Sequence, residues 1–133
     1  MKKVLSILMI LLLLVGLCAC GNENAEDVSF KNDLKSVIHG VHISASSSDS
    51  WSDLLNYAQL SVGSTIHIDF EKFAGDSPLY DVGIIDENGV NYDIYEVTLT
   101  LGDALVLSGD ENGATLTVTG KDGSVKTYEA YIY

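Results

Sequence analysis

Apolar and polar residues alternate with a period of two along most of the chain after residue 36. The clearest run spans residues 64–70, and a second one spans residues 114–119. Successive side chains of a β-strand point to opposite faces. In a helix, by contrast, the apolar residues that share one face, the helical stripe, recur every three or four positions. The pattern therefore predicts strands with one buried and one exposed face, and no segment after Leu60 carries a helical stripe.

Turn-forming residues divide this region into short segments. Asp86-Glu87-Asn88-Gly89 carries the Asn-Gly signature of a tight hairpin, and Asp110-Glu111-Asn112-Gly113 resembles it. Strands are predicted at residues 36–44, 64–70, 79–85, 90–101 (with a break), 104–108, 114–119 and 124–133, while Trp51 to Leu60 is a helical turn or a packed loop. About seven short strands with closely spaced turns predict an all-β fold, a small antiparallel β-sandwich or barrel, over residues 36–133.

The first 19 residues have a different composition. Lys2 and Lys3 precede an apolar run from Val4 to Leu17. A membrane-spanning helix needs about 20 apolar residues, so this run is short for one and suits the apolar region of a secretion signal. The alternative is an uncleaved anchor helix.

Leu17-Cys18-Ala19-Cys20 resembles the lipobox of bacterial lipoproteins, with an aliphatic residue, a small residue before the cleavage site and an invariant cysteine. The resemblance implies transfer of a lipid to the Cys20 thiol and cleavage between Ala19 and Cys20. It also implies a location at the extracytoplasmic face of the cell membrane, with palmitate among the acyl chains. Cys18 is a poorer acceptor because Leu17 before it is too large.

Residues 20–35 are predicted to form the lipidated cysteine and an acidic tether. Phe30, Leu34, Val37 and Ile38 have a spacing that also allows a short helical turn. With Cys18 removed and Cys20 alkylated, no thiol remains for a disulfide, so a core of about 100 residues has to stabilise the domain.

The formal net charge is −12, and no Lys, Arg or His lies between Lys72 and Lys121. Such a surface repels phosphate backbones, which argues against a nucleic-acid partner. It is also repelled by anionic headgroups, so the lipid has to hold the protein at the membrane. An excess of acidic residues serves solubility in most proteins. The alternative is that it attracts a cation or a basic partner.

A longer pattern, from Ile38 through Trp51, Asp53-Leu54-Leu55, Gly63 and Tyr80-Asp81 to Tyr95, resembles small secreted bacterial β-sandwich domains without an established activity. The resemblance covers about residues 36–108. It implies a fold and carries over no catalytic residues.

Metal binding has weak support in the sequence. His39 and His42 point to opposite faces of a strand, and His67 with Asp69 supplies only two of the three or four ligands that zinc needs. No segment has EF-hand spacing, although a Ca²⁺ site between loops, using Asp76 and Asp81, stays open. No metal or cofactor is therefore expected, with Ca²⁺ as the alternative.

Catalysis has as little support, because the chain has no nucleophile elbow, no phosphate-binding glycine loop and no evident partner for its histidines. Aromatic residues are more suggestive. Tyrosines beside carboxylates make a platform on which a sugar ring stacks, although tyrosine is also a common strand residue. The candidate ligand-binding residues are Trp51, Tyr80, Asp81, Asp86 and Tyr95.

The function expected from the sequence is a non-enzymatic surface lipoprotein that binds a protein partner or serves as an envelope accessory. The alternative is a binding module for a glycan or Ca²⁺. A concave aromatic patch beside carboxylates favours the ligand-binding alternative. An exposed, unpaired final strand favours the protein partner, through β-strand addition.

Overall fold

The computed structural model describes residues 27–48, 55–70 and 77–133. These residues form two five-stranded sheets. In chain order, the strands are β1 (Asp27–Leu34), β2 (Ile38–Ala45), β3 (Leu55–Leu60), β4 (Thr65–Asp69), β5 (Leu79–Asp86), β6 (Asn91–Thr98), β7 (Ala104–Asp110), β8 (Gly113–Thr119), β9 (Val125–Glu129) and β10 (Tyr131–Ile132).

Sheet A has the order β4-β1-β7-β8-β9, and sheet B has the order β10-β6-β5-β2-β3. The predicted fold class, a small all-β sandwich, is confirmed. The prediction of purely antiparallel pairing is wrong at one place, because β1 runs parallel to β7, from Ser29 opposite Ala104 to Leu34 opposite Gly109. All other neighbouring strands of the two sheets are antiparallel.

One hydrophobic core joins the two sheets. The inward residues follow the period of two, since Val28 and Phe30 of β1 are fully buried, as are Val82 and Ile84 of β5. Burying a side chain of this size contributes about 1.5–3 kcal/mol. Core residues from both sheets form a single cluster, which includes Val28, Phe30, Leu34, Ile38, Val41, Ile43, Val82, Ile84, Tyr92, Ile94, Leu105, Leu107, Leu116 and Val118.

The predicted tether does not extend to residue 35. Residues 27–34 form β1, which lies inside sheet A between β4 and β7. Its alternate residues Val28, Phe30, Asn32 and Leu34 are at most 1% exposed. The acidic tether and the helical turn are therefore wrong for this segment, whose polar residues other than Asn32 mark the outer face of a strand. The predicted lipidation at Cys20 lies outside the described residues.

The seven predicted strands correspond to eight of the ten observed ones. The exceptions are β1, where the sequence predicts a tether, and β3, where it predicts a helical turn or loop. The predicted final strand is divided into β9 and β10 at Ala130. The Ala130 N–H donates to the carbonyl of Ala114, which holds the corner where the chain passes from sheet A to sheet B. Because of this corner, β9 and β10 form the edges of two different sheets.

The predicted hairpin turn at residues 86–89 is confirmed. Gly89 has a φ of 80° and its N–H donates to the carbonyl of Asp86. Positive φ is open to glycine at little cost, which accounts for the Asn-Gly pair. In the turn after β7, glycine is required at Gly109, four residues before Gly113, which is the counterpart of Gly89. Gly109 has a φ of 118°, and a Cβ there would lie 2.2 Å from the Gly113 carbonyl oxygen.

Candidate functional site

A cluster of tyrosines lies on the outer face of sheet B, at the edge formed by β10. Tyr131 stands directly opposite Asp93 of β6. Backbone hydrogen bonds of 2.9 and 3.2 Å join Tyr133 and Asn91 in the same register. Because Tyr92, Ile94 and Ile132 point into the core, the alternate residues point outward. We define the tyrosine cluster as Asp93, Tyr95, Tyr131 and Tyr133.

Asp93 lies at the centre of this cluster. Its Oδ2 atom accepts hydrogen bonds from two phenols, that of Tyr95 at 3.1 Å and that of Tyr133. Its Oδ1 atom has no hydrogen-bond partner among the described residues. The side chain is only 6% exposed although it lies on the outer face of the sheet. A carboxylate is thus held between aromatic rings, with one oxygen that accepts no hydrogen bond from the described part of the chain.

The three rings remain accessible. Tyr95 is 45% exposed, Tyr131 66% and Tyr133 71%. The rings of Tyr95 and Tyr131 have centroids 5.6 Å apart and are tilted by 54°, so that they form a wedge. Large exposed aromatic residues next to each other mark a binding surface more often than isolated ones do.

A β-bulge positions Tyr95. Between β5 and β6 the register shifts, so that Tyr95 and Glu96 together oppose Asp81. Glu96 has a φ of 56°, and its N–H donates to Asp81 Oδ1 at 3.0 Å. The same oxygen accepts a hydrogen bond of 2.6 Å from the Ser46 hydroxyl. Bulges bend a strand and re-aim its side chains, so Asp81 supports the tyrosine cluster from β5.

The phenols of Tyr95 and Tyr133 stay neutral at physiological pH. The hydrogen bond to Asp93 is the main cause that raises the pKa of Tyr133 to about 12. Partial burial, followed by the charge of Asp93, raises the pKa of Tyr95. Both hydroxyls are therefore donors to the carboxylate under physiological conditions.

The predicted ligand-binding residues are not all brought together. Tyr95 and Asp81 lie in or beside the tyrosine cluster, whereas Tyr80 is 2% exposed and packs edge-to-face on Phe70 with ring centroids 5.2 Å apart. A core position prevents Tyr80 from serving as the predicted platform. Trp51 lies outside the described residues.

Asp86 also differs from its predicted role. Its Oδ1 accepts from the N–H groups of Asn88 and Val90 at 2.9 and 3.0 Å, and its Oδ2 accepts from Ser36 and Tyr92 at 2.8 and 3.3 Å. Burial raises the pKa of Asp86, but the hydrogen bonds, of which that from Ser36 is the largest, together outweigh it and leave the pKa below its ordinary value. These bonds occupy both oxygens, so Asp86 organises the hairpin.

Two pockets lie at opposite ends of the sandwich. One of about 240 Å³ separates the two Asp-Glu-Asn-Gly turns and is lined by Lys35, Ser36, Asp86, Asn88, Tyr92, Asp110, Glu111 and Asn112. Lys35 and Asp110 form an ion pair of 2.7 Å at its rim. The other, of about 330 Å³, contains Asp103 and Asp122 together with Lys121 and Lys126. Both pockets mix charges of opposite sign, and neither includes the tyrosine cluster.

Sequence reasoning missed Asp93 as a site residue. The period of two places Asp93 and Tyr95 on one face of β6, and Tyr131 and Tyr133 on one face of the last segment, so each half of the cluster was readable. Their meeting depends on the pairing of β10 with β6, which no local pattern indicates.

Among the described residues, no group of three or more His, Cys, Asp and Glu side chains is arranged to hold a metal ion. His67 and Asp69 share the exposed face of β4 as expected. The described segments also contain no helix with the length and apolar character needed to cross a membrane. Comparisons of the chain with protein-family models, with curated proteins and with solved structures found no match.

Proposed function

We propose that this chain is a lipid-anchored binding module at the extracytoplasmic face of the membrane, which engages a protein partner through the tyrosine cluster and carries out no catalysis. The observation that supports it best is the group of three exposed tyrosines around Asp93. Tyrosine is enriched at the energetic centres of protein interfaces, because a rigid ring gives much contact area at a small entropic cost.

The position of the cluster at a sheet edge adds support. β10 forms one edge of sheet B, and β9 forms one edge of sheet A. In the described part of the chain, each of these strands is paired on one side only. An extended segment of a partner can add to such an edge through main-chain hydrogen bonds, with side-chain pockets supplying specificity.

The anchoring part of the proposal depends on the resemblance of Leu17-Cys18-Ala19-Cys20 to a lipobox. We expect metabolic labelling with palmitate to mark the wild-type protein and the Cys18→Ser variant. The Cys20→Ser variant should remain unlabelled and leave the membrane fraction. Labelling of Cys20→Ser at the wild-type level would contradict the anchor.

The partner surface is tested by photocrosslinking in the cells that make the protein. We expect Tyr131→p-benzoylphenylalanine to give a discrete protein adduct. The matched control is Val62→p-benzoylphenylalanine, because Val62 is also exposed, at 52%, and lies in the turn between β3 and β4. The same adduct at both positions, or none at position 131, would contradict the proposed surface.

A glycan is the second candidate ligand, because the faces of Tyr95 and Tyr131 stand beside the carboxylates of Asp93 and Asp81. Sugar C–H faces stack on rings while sugar hydroxyls bond to carboxylates. A thermal melt with cell-wall glycans, with millimolar Ca²⁺ and with EDTA separates these cases. A ligand that binds only the folded protein raises the midpoint of thermal unfolding by mass action. A rise with a glycan or with Ca²⁺ alone would therefore identify that ligand in place of a protein partner.

A further inference from the structure

We propose that the tyrosine cluster accepts an arginine side chain from a basic segment of the partner protein. The inference depends on the proposed function and names the chemistry of the same surface. Asp93 supplies the carboxylate of this site, and the rings of Tyr95 and Tyr131 supply the faces on which the cation stacks.

Among the described residues, no cation pairs with the Asp93 carboxylate. Its two hydrogen-bond donors are neutral phenols. No Lys, Arg or His occurs anywhere between Lys72 and Lys121, the stretch that contains Asp93. A carboxylate that is shielded from water is stabilised strongly when a cation donates a hydrogen bond to it directly.

The aromatic rings of the cluster also attract a cation. The rings of Tyr95 and Tyr131 contact each other, with centroids 5.6 Å apart and a tilt of 54°, so a flat cation stacks on the exposed face of one ring rather than between the two. Ring faces carry partial negative charge and attract cations within about 6 Å of the ring centroid. The phenols remain protonated because the pKa values of Tyr95 and Tyr133 are raised.

Arginine fits this arrangement better than other cations. Its guanidinium is planar, weakly hydrated and able to stack on an aromatic ring while it donates to a carboxylate. Asp93 Oδ1 is the acceptor left for it, since Oδ2 already accepts two phenols. Calcium would need about six to eight oxygen ligands, whereas the cluster supplies one carboxylate and three phenols.

The test uses the mature lipidated protein in non-ionic detergent, with ¹³C-labelled tyrosine rings observed by NMR. The probes are the capped tripeptides Gly-Arg-Gly, Gly-Lys-Gly and Gly-citrulline-Gly. We expect saturable shifts of the Tyr95, Tyr131 and Tyr133 signals with Gly-Arg-Gly, weaker ones with Gly-Lys-Gly, and none with the neutral citrulline peptide.

Two variants and one control complete the design. Asp93→Asn and Tyr131→Ala should each weaken Gly-Arg-Gly binding by about tenfold, which is the size of one cation–π contact or charged hydrogen bond. Tyr131 is an exposed residue, so its removal should leave the fold intact. Asp33→Asn removes the same charge from an exposed position on β1 and should leave the affinity unchanged.

Equal weakening by Asp33→Asn, or equal binding of the citrulline peptide, would overturn the inference, because general charge attraction or stacking would then explain the shifts. Tetramethylammonium and an N-acetylglucosamine trimer are the competing ligands, and preference for either over Gly-Arg-Gly would also overturn it. A protein adduct at position 131 without arginine binding would refute the arginine site and leave the proposed function standing.

Discussion

Asp81 Oδ1 accepts a hydrogen bond of 3.0 Å from the backbone N–H of Glu96, the one non-glycine residue with positive φ in the described segments. The left-handed conformation costs a residue with a Cβ about 1–2 kcal/mol. The Asp81 carboxylate therefore stabilises the bulge that positions Tyr95, and two predictions of opposite sign follow from this contact.

Glu96→Gly should raise the free energy of unfolding by roughly 0.5–1 kcal/mol, since glycine adopts positive φ without strain but loses more entropy on folding. Asp81→Ala should lower it by about 1–2 kcal/mol, because the Glu96 N–H and the Ser46 hydroxyl both lose their acceptor. Urea denaturation measures both. A destabilised Glu96→Gly variant would contradict the account of the bulge.

Asn32 is the buried polar residue of β1, with 0% exposure. Its amide nitrogen donates to the carbonyls of Ser36 and Leu60, both at 2.9 Å, and its Oδ1 accepts from the N–H of Leu34. Asn32→Ala should cost about 2–4 kcal/mol, because buried backbone groups lose their partners and a small cavity forms. Asn88→Ala is the control, since Asn88 is exposed and bonds to Asp86 through its backbone. Equal costs would contradict the role of Asn32.

The chain should need β1 to fold. A shortened chain that begins at residue 24 retains β1, whereas one that begins at residue 36 removes it and leaves β4 and β7 without their common neighbour. We expect the first to unfold cooperatively on heating and the second to show no cooperative transition, because the loss of Val28, Phe30 and Leu34 opens the core. Circular dichroism melts of the two would decide, and a cooperative melt of the shorter chain would restore the tether interpretation for residues 27–35.

The ionisation of Asp86 should make the free energy of unfolding depend on pH under acidic conditions. Its pKa is lower in the folded protein than the ordinary value of 3.8, so its contribution is fully present above that value and is lost as the pH falls through the folded-state pKa. The free energy of unfolding should decrease below about pH 4 in the wild type and less steeply in Asp86→Asn. Parallel curves for the two proteins would remove Asp86 as a cause.

The phenol of Tyr133 should titrate with a pKa of about 12. Because this pKa is raised on folding, the Tyr133–Asp93 contact stabilises the protein fully below the ordinary value of 10.0, and that contribution is lost as the pH rises through about 12. Asp93→Asn should return the pKa toward 10.0, whereas Tyr131→Phe should leave it raised. Ultraviolet absorbance of tyrosinate follows the titration, and an unchanged curve in Asp93→Asn would contradict the hydrogen bond.

Much of the fold was readable from local patterns. The seven predicted strands and the turn at Gly89 follow from alternation and from glycine's tolerance of positive φ. β1 escaped prediction because Asn32 interrupts its inward series of Val28, Phe30 and Leu34. An asparagine is compatible with a core only where carbonyl and N–H partners surround it, and one of them, Leu60, is distant in sequence.

The amino-acid sequence by itself determined the all-β class, the approximate positions of most strands, the acidic charge and the resemblance to a lipobox, since each depends on neighbouring residues or on composition. The tertiary structure alone decided that β1 pairs in parallel with β7, that Tyr80 and Asp86 are used within the protein, and that Tyr131 stands opposite Asp93. These features depend on strand register, which is set by packing between segments far apart in the chain and leaves no local signal.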